Sequence, residues 1–345
     1  MRVVVTGGAG FIGANLLHYW IREHPDDELV TLDLLTYAGH RTSIADLEHD
    51  GALQFVRGNV ADAKVVESTL RGADLVLHLA AESHVDRSIA DPSAFLATNV
   101  MGTFTILEAA RRLDVKRTHV VSTDEVYGSL PLDRPELRFV PGTPYAPRNP
   151  YSASKAAADH LARSYHNTYG LPVTLSNCGN NYGPYQHPEK LIPLAISRLL
   201  DGRKVPVYGD GRNVRDWIYV EDHCRALDAI VQHGRLGETY LLGAQEERSN
   251  LEVVQALLGL MSKGREGMEF VRDRPGHDLR YAIDSRPAQE ALDWHSTVRF
   301  EEGLARTVEW YRSHRSWWEP LRTAVPATEQ RVLSSGGAQR AGVMS

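Results

Sequence analysis

The sequence predicts an α/β protein built on a doubly wound parallel sheet, with a smaller α/β unit in its C-terminal half. Three observations carry this. A β-branched run, Val3 to Val5, opens directly onto a glycine-rich turn ending at Gly13. Short apolar runs then alternate with helix-length amphipathic segments over residues 1–180, the rhythm of a parallel sheet covered by crossover helices. Beyond residue 180 that rhythm loosens, and proline, glycine and aromatic residues become more frequent.

The first strand leads into Gly8-x-Gly10-x-x-Gly13 and an apolar helix through Leu16, Leu17 and Trp20. A glycine string between a strand and a helix is the dinucleotide fingerprint in its required context. Backbone without side chains can approach a pyrophosphate, which rests on the positive end of the helix. The next strand, 28–32, ends in Asp33, 20 residues after Gly13. A carboxylate there accepts hydrogen bonds from ribose hydroxyls and repels a 2′-phosphate, favouring NAD over NADP; a carboxylate capping the next turn reads the same. Further strands are predicted at 53–56, 75–79, 118–121 and 173–176, with long helices at 93–113 and 152–169. Both helices carry apolar residues on more than one face. One face covers the sheet, and the other suits either a partner subunit or the chain's own second unit.

The chemistry concentrates in VSTDEVYG and in YSASK. Thr123, Asp124 and Glu125 follow an apolar run and so lie where a buried parallel strand ends, the edge at which open α/β sheets bind ligands. Adjacent carboxylates are costly to bury and raise one another's proton affinity, a pairing that suits a reaction needing an acid and a base. A solvated turn, or Asp124 capping a short helix, is the structural alternative. Tyr151 and Lys155 are four apart in a helical segment and share one face. An ammonium beside a phenol favours the phenolate and lets the tyrosine act as a base.

In the C-terminal half, predicted loops carry Lys190, Arg215, Arg274, His277 and Arg280 beside tyrosines and glycine turns. Singly, loop arginines are usually solvated; together they suggest an anion pocket, since guanidinium groups hold phosphate in bidentate fashion. The expected organisation is a dinucleotide-binding unit at 1–180 that also carries the catalytic residues, a ligand-binding unit at 181–320 with some crossing of the chain between the two, and a flexible tail at 321–345.

Bulk properties exclude several classes. A formal net charge of −6 disfavours general nucleic-acid binding. No apolar run has the length to span a bilayer, and the chain begins at once with a strand, so a cytoplasmic protein without a cleaved leader is expected. Cys178 and Cys224, the two cysteines, lack metal-ligand spacing and fit a reducing compartment; no metal site is expected.

Together TGGAGFIG, LDLLTYAG, AAESHVDRS, STDEVYG, PYSASK, NNYGPYQHPEKLIP, YGDGRNVRDWIYVEDH and RPGHDLRYAID resemble the extended short-chain dehydrogenase/reductase family, in its nucleotide-sugar 4,6-dehydratase branch, over residues 1 to about 320. The resemblance implies NAD as a retained cofactor, dTDP-glucose as substrate and dTDP-4-keto-6-deoxyglucose plus water as products. It implies that Tyr151 takes the proton from the 4-hydroxyl as hydride leaves carbon 4, and that Lys155 holds the nicotinamide ribose. Glu125 is implied as the base at carbon 5, Asp124 as the acid at the 6-hydroxyl, and Thr123 as the hydrogen-bond partner of the carbon 4 oxyanion. The cofactor residues it implies are Gly7, Gly10, Phe11, Ile12, Gly13, Asp33, Asn59, Ala80, Tyr151 and Lys155. For the nucleotide sugar it implies Ser83, Asn180, Lys190, Pro206, Tyr208, Arg215, Asn250, Arg274 and His277. It also implies a homodimer through a four-helix bundle made by the two long helices of each subunit.

The chain departs from the family at three places. Asn59 replaces an aspartate thought to touch the adenine amino group, although an amide oxygen still accepts that bond. The loop 129–149 is unusually proline-rich, and Cys178-Gly179 precedes Asn180 as a small variation, with Cys178 expected to be packed and unreactive. A dehydratase acting on another nucleotide sugar is one rival reading; a nucleotide-sugar 4-epimerase and a non-catalytic NAD-sensing scaffold are the others. Neither of these last two has a use for the Asp124–Glu125 pair.

Overall fold

The computed structural model describes residues 1–273 and 277–324, so Arg274 and most of the expected tail, 325–345, lie outside the described residues. The central sheet has seven strands: β1 (Arg2–Thr6), β2 (Glu28–Asp33), β3 (Leu53–Arg57), β4 (Leu75–His78), β5 (Arg117–Thr123), β6 (Val173–Cys178) and β7 (Thr239–Leu242). Every pairing in it is parallel, and the order is β7-β6-β5-β4-β1-β2-β3. This is the expected Rossmann-type architecture. Strands covered on both faces read as continuous apolar runs, which is why β1 and β4 consist almost wholly of valine and leucine.

Two apolar layers flank the sheet. On one face Leu16, Leu17 and Trp20 of the helix Phe11–Glu23 pack with Leu227 and Ile230 of the helix Val220–His233. On the other, Ile106, Leu107 and Ala110 pack with Ala162 and Tyr165. The predicted helix 93–113 is not uniform: a π-helical stretch, Leu96–Gly102, separates a short α-turn from Thr103–Arg112.

Late segments of the chain return to the central sheet. The helix Val220–His233 and β7 return to the first unit after strands of the second, so residues 220–242 belong to the sheet although they lie beyond residue 180. The second unit has its own core of Tyr182, Ile196, Trp217, Val254, Leu304 and Trp318. Its sheets are small, one of strands Asn180–Tyr182, Val214–Tyr219 and Glu247–Ser249, and one of Val205–Tyr208 and Met268–Val271.

Candidate active site

The carboxyl ends of β1, β4, β5 and β6 converge on a cavity of about 300 Å³. At β1 the backbone turns through Gly7, whose φ of +75° few side chains tolerate. A Cβ there would stand 2.7 Å from the Ala80 nitrogen, so the turn packs flat against the strand-end loop of β4. Gly7, Gly10 and Gly13 line the cavity. Gly8 does not: its Cβ position faces Thr31 and Leu17, so this glycine serves packing. The helix beginning at Phe11 has Gly10 as N-cap and no acidic residue in its first turn, leaving its first N–H groups to an external anion.

Phe11, Ile12, Asp33, Asn59 and Ala80 line the same cavity. The Asp33 carboxylate accepts from the N–H groups of Ala9 (3.0 Å) and Leu35 (2.8 Å), joining the glycine turn to the segment after β2. The Asn59 amide oxygen accepts from Ala61 N–H at 2.9 Å, so the lone pair left for an adenine amino group is the second one. A glycine cradle at a helix start with a carboxylate at the next strand end fits a dinucleotide.

At the end of β5, Thr123 caps a 3-10 turn, Asp124–Tyr127, by accepting from Glu125 N–H at 3.2 Å. Thr123 is therefore the cap, and Asp124 is not. The turn closes at Gly128 (φ +88°), where a Cβ would meet the Ala146 carbonyl at 2.6 Å. Asp124 is buried, and one carboxyl oxygen, Oδ2, has no hydrogen-bond partner. Burial, then the neighbouring Glu125 charge, then Asp216 push its pKa well above the usual carboxylate range. Its surroundings therefore favour the protonated carboxyl over the carboxylate.

The helix Pro150–Tyr169 starts with a capping box, Asn149 accepting from Ser152 N–H at 2.9 Å, and presents Tyr151 and Lys155 on one buried face. The Lys155 ammonium donates to the Val121 carbonyl at 2.7 Å. Burial pushes its pKa down, while Asp159 one turn on holds it up. Tyr151 differs from expectation. Burial first, and then Glu125, push its pKa well up, so the phenol keeps its proton here. Behind both groups, Asn177 donates to Asp159 (2.9 Å) and to the Thr123 carbonyl (3.3 Å), locking the helix to the strand end.

A second cavity of about 180 Å³ adjoins the first and shares Ser83, Glu125, Asn180 and Lys190 with it. Pro206, Tyr208, Arg215, Asn250 and His277 line it. Lys190 Nζ donates to the Ser83 carbonyl at 3.1 Å. The Arg215 guanidinium lies 4.2 Å from the Tyr281 ring centroid and donates to the Val214 and Asp278 carbonyls. Sequence reasoning missed Asn149, Trp217, Asp278 and Tyr281 among its walls, although the last two fall within the RPGHDLRYAID motif.

Arg280 corrects the anion-pocket expectation. It is buried away from both cavities and donates to the carbonyls of Arg134, Pro135 and Leu137 and to Glu247. The proline-rich loop is thus pinned across the molecule by this side chain. Cys178 meets its expectation, with burial pushing its thiol up to about 12.

Fold and site together define an NAD-dependent enzyme of the short-chain dehydrogenase/reductase type. The chain belongs to the GDP-mannose 4,6-dehydratase family, which matches residues 4–307. It is 53% identical over 331 residues to dTDP-glucose 4,6-dehydratase of Mycobacterium tuberculosis, covering 96% of this chain and 99% of that one. Among solved structures, dTDP-glucose 4,6-dehydratase of Streptomyces venezuelae with NAD bound is 48% identical at a TM-score of 0.90, covering 93% of this chain and 100% of the other. A Thermus thermophilus UDP-glucose 4-epimerase with NAD is 31% identical at a TM-score of 0.83, covering 91% and 100%. Because the epimerase shares the fold, the scaffold alone does not discriminate the chemistry.

Proposed function

We infer that the chain is a dTDP-glucose 4,6-dehydratase, a hydro-lyase that converts dTDP-glucose to dTDP-4-keto-6-deoxyglucose and water in deoxysugar biosynthesis. The observation that carries this reading is the buried Asp124, its pKa pushed up, lining the first cavity with Tyr151 and followed directly by Glu125, which lines both cavities. Elimination across two adjacent carbons needs an acid at one and a base at the other, hence two carboxyl groups in opposite protonation states. An epimerase needs neither.

NAD held by Gly7, Gly10, Gly13, Asp33 and Lys155 would supply a hydride acceptor and positive charge at its nicotinamide. With that positive charge and the Lys155 ammonium beside it, the Tyr151 phenol would be drawn toward the phenolate that takes the proton from the 4-hydroxyl, and Thr123 donates a hydrogen bond to the oxygen left at carbon 4. A ketone at carbon 4 acidifies carbon 5, from which Glu125 removes a proton and to which it gives one back once water has left, when the hydride that NAD would have taken from carbon 4 would return to carbon 6. Asp124, whose buried Oδ2 has no hydrogen-bond partner and whose pKa is pushed up, delivers a proton to the departing 6-hydroxyl. Ser83, Asn180 and Lys190 hold the sugar at the junction. Tyr208, Arg215, Asn250, Arg274 and His277 take the nucleoside diphosphate, and Pro206 forms wall.

The reading includes a homodimer. Leu96 (55% exposed), Met101 (52%), Phe104 and Tyr169 are large apolar side chains in solvent on the two long helices, as a four-helix interface between subunits requires. It includes the cytoplasm as compartment, in keeping with two buried free thiols.

The test is a set of three variants. Asp124→Asn and Glu125→Gln should each lose dehydration by about 100-fold or more while still reducing bound cofactor, and Tyr151→Phe should lose both. Intact turnover in the two carboxylate variants, with Tyr151→Phe inactive, would assign the chain to epimerase-type chemistry.

A further inference from the structure

Three segments far apart in sequence meet beside the cofactor cavity as a row of rings. Residues 34–39, between β2 and the 3-10 turn Arg41–Ser43, have no regular secondary structure, and Leu34, Thr36, Ala38 and Gly39 form one wall of that cavity. The wall is held by rings, one of which, His187, also lines the cavity. Tyr37 has the Arg87 guanidinium 3.5 Å from its ring centroid and meets His187 edge-on at 5.7 Å. His187 stacks on His40 at 5.5 Å, and His40 meets Trp317 edge-on at 5.8 Å. Trp317 continues the row to Trp310 (5.1 Å) and donates its indole N–H to Ser43 Oγ at 3.1 Å.

The inner side of the segment is tied more simply, by His40 N–H to the Ala9 carbonyl (2.8 Å) and Leu35 N–H to Asp33 (2.8 Å). Moving the wall outward therefore has to separate His40 from His187 and Trp317. Both imidazoles are held below their ordinary pKa by burial, so the stack carries no opposed charges near neutral pH. A reaction that returns its hydride gains nothing from releasing the dinucleotide between turnovers.

We propose that the ring stack of Tyr37, His187, His40 and Trp317 is a latch that keeps the wall of the dinucleotide cavity closed and so retains the cofactor from one turnover to the next. The proposal rests on reading the first cavity as an NAD site. His40 and Trp317 are positioning residues, remote from the reacting carbons.

The test compares the full-length parent with His40→Ala and Trp317→Ala, each purified without added NAD. NAD bound after gel filtration is quantified from the denatured protein, and its exchange is timed against isotopically labelled NAD. The latch predicts exchange about threefold to tenfold faster in each variant, less NAD carried through purification, and parental turnover once NAD is supplied in excess. Exchange as slow as in the parent would overturn it, as would a loss of turnover that excess NAD leaves in place. Should Trp317→Ala not fold, Ser43→Ala removes only the acceptor of the indole N–H and gives the same readout. A parent chain that binds no NAD would instead defeat the reading of the cavity itself.

Discussion

Asp124 and Glu125 are neighbours in sequence with different surroundings. Asp124 is buried with one oxygen unpartnered, whereas Glu125 reaches into both cavities. The raised pKa of Asp124 has a consequence for stability. A carboxyl raised in the folded state contributes stability that is complete below its unfolded value and lost as pH rises through the folded one. Asparagine cannot ionise, so Asp124→Asn should melt at a higher temperature than the parent at pH 7 and above, with the difference shrinking toward acid. Thermal melting across pH checks this, and an unchanged difference at all pH values would contradict it. Much of the candidate site was legible at this scale because strand-end position and motif coincide at Thr123, Asp124 and Glu125, and helical spacing pairs Tyr151 with Lys155. Arg280 was not legible. Whether a loop guanidinium faces a ligand or three backbone carbonyls depends on where residues 134–137 travel, which spacing does not encode.

Among elements, the helix Pro150–Tyr169 does most to set the geometry, because it carries Tyr151 and Lys155 from a capped first turn. Asn149→Ala removes the cap, and the expected loss is about 1 kcal/mol of stability with a larger fall in turnover than in substrate affinity, measured by denaturant unfolding and steady-state kinetics. The loop 129–149 is fixed by Arg280 and by Phe139, which pairs with Ile283 and stacks on Tyr127 at 5.1 Å. Arg280→Ala removes the donor shared by the Pro135 and Leu137 carbonyls and one of two guanidinium partners of Glu247, and should cost about 3 kcal/mol and open this loop to protease. The strands and crossover helices of the first unit could be read from their period, since each is bounded by polar or glycine punctuation. β7 could not. Four residues, TYLL, are too short to separate from any apolar turn, and membership in the sheet comes from pairing with β6, a contact across more than 60 residues.

At the scale of the whole molecule, the interleaving of the two units brings the cavities together, and the outer helices leave an apolar face. Leu96→Glu with Met101→Glu should yield a monomer by sedimentation; a dimer surviving both changes would place the interface elsewhere. Buried neutral histidines make the fold sensitive to acid. His78 lies between Thr6 and Thr103, His119 between Thr174 and Ser176, and His223 against Asn181. Burial pulls them to about 3, about 3 and about 4. Depressed values mean stability that is complete above pH 6.5 and lost as pH falls, at up to about 1.4 kcal/mol per histidine for each pH unit. Melting temperature should therefore fall steeply between pH 6 and 4, and a flat profile over that range would contradict the buried, neutral assignment.

The most direct test of the proposed chemistry is to incubate the purified protein, with no NAD added, with dTDP-glucose in heavy water and to examine the product by mass spectrometry and NMR. Loss of one water with deuterium at carbon 5 is the predicted result, reporting at once an acid and base that exchange with solvent and a cofactor that stays bound. A nucleotide sugar recovered with its 6-hydroxyl intact, even when NAD is supplied, would contradict it.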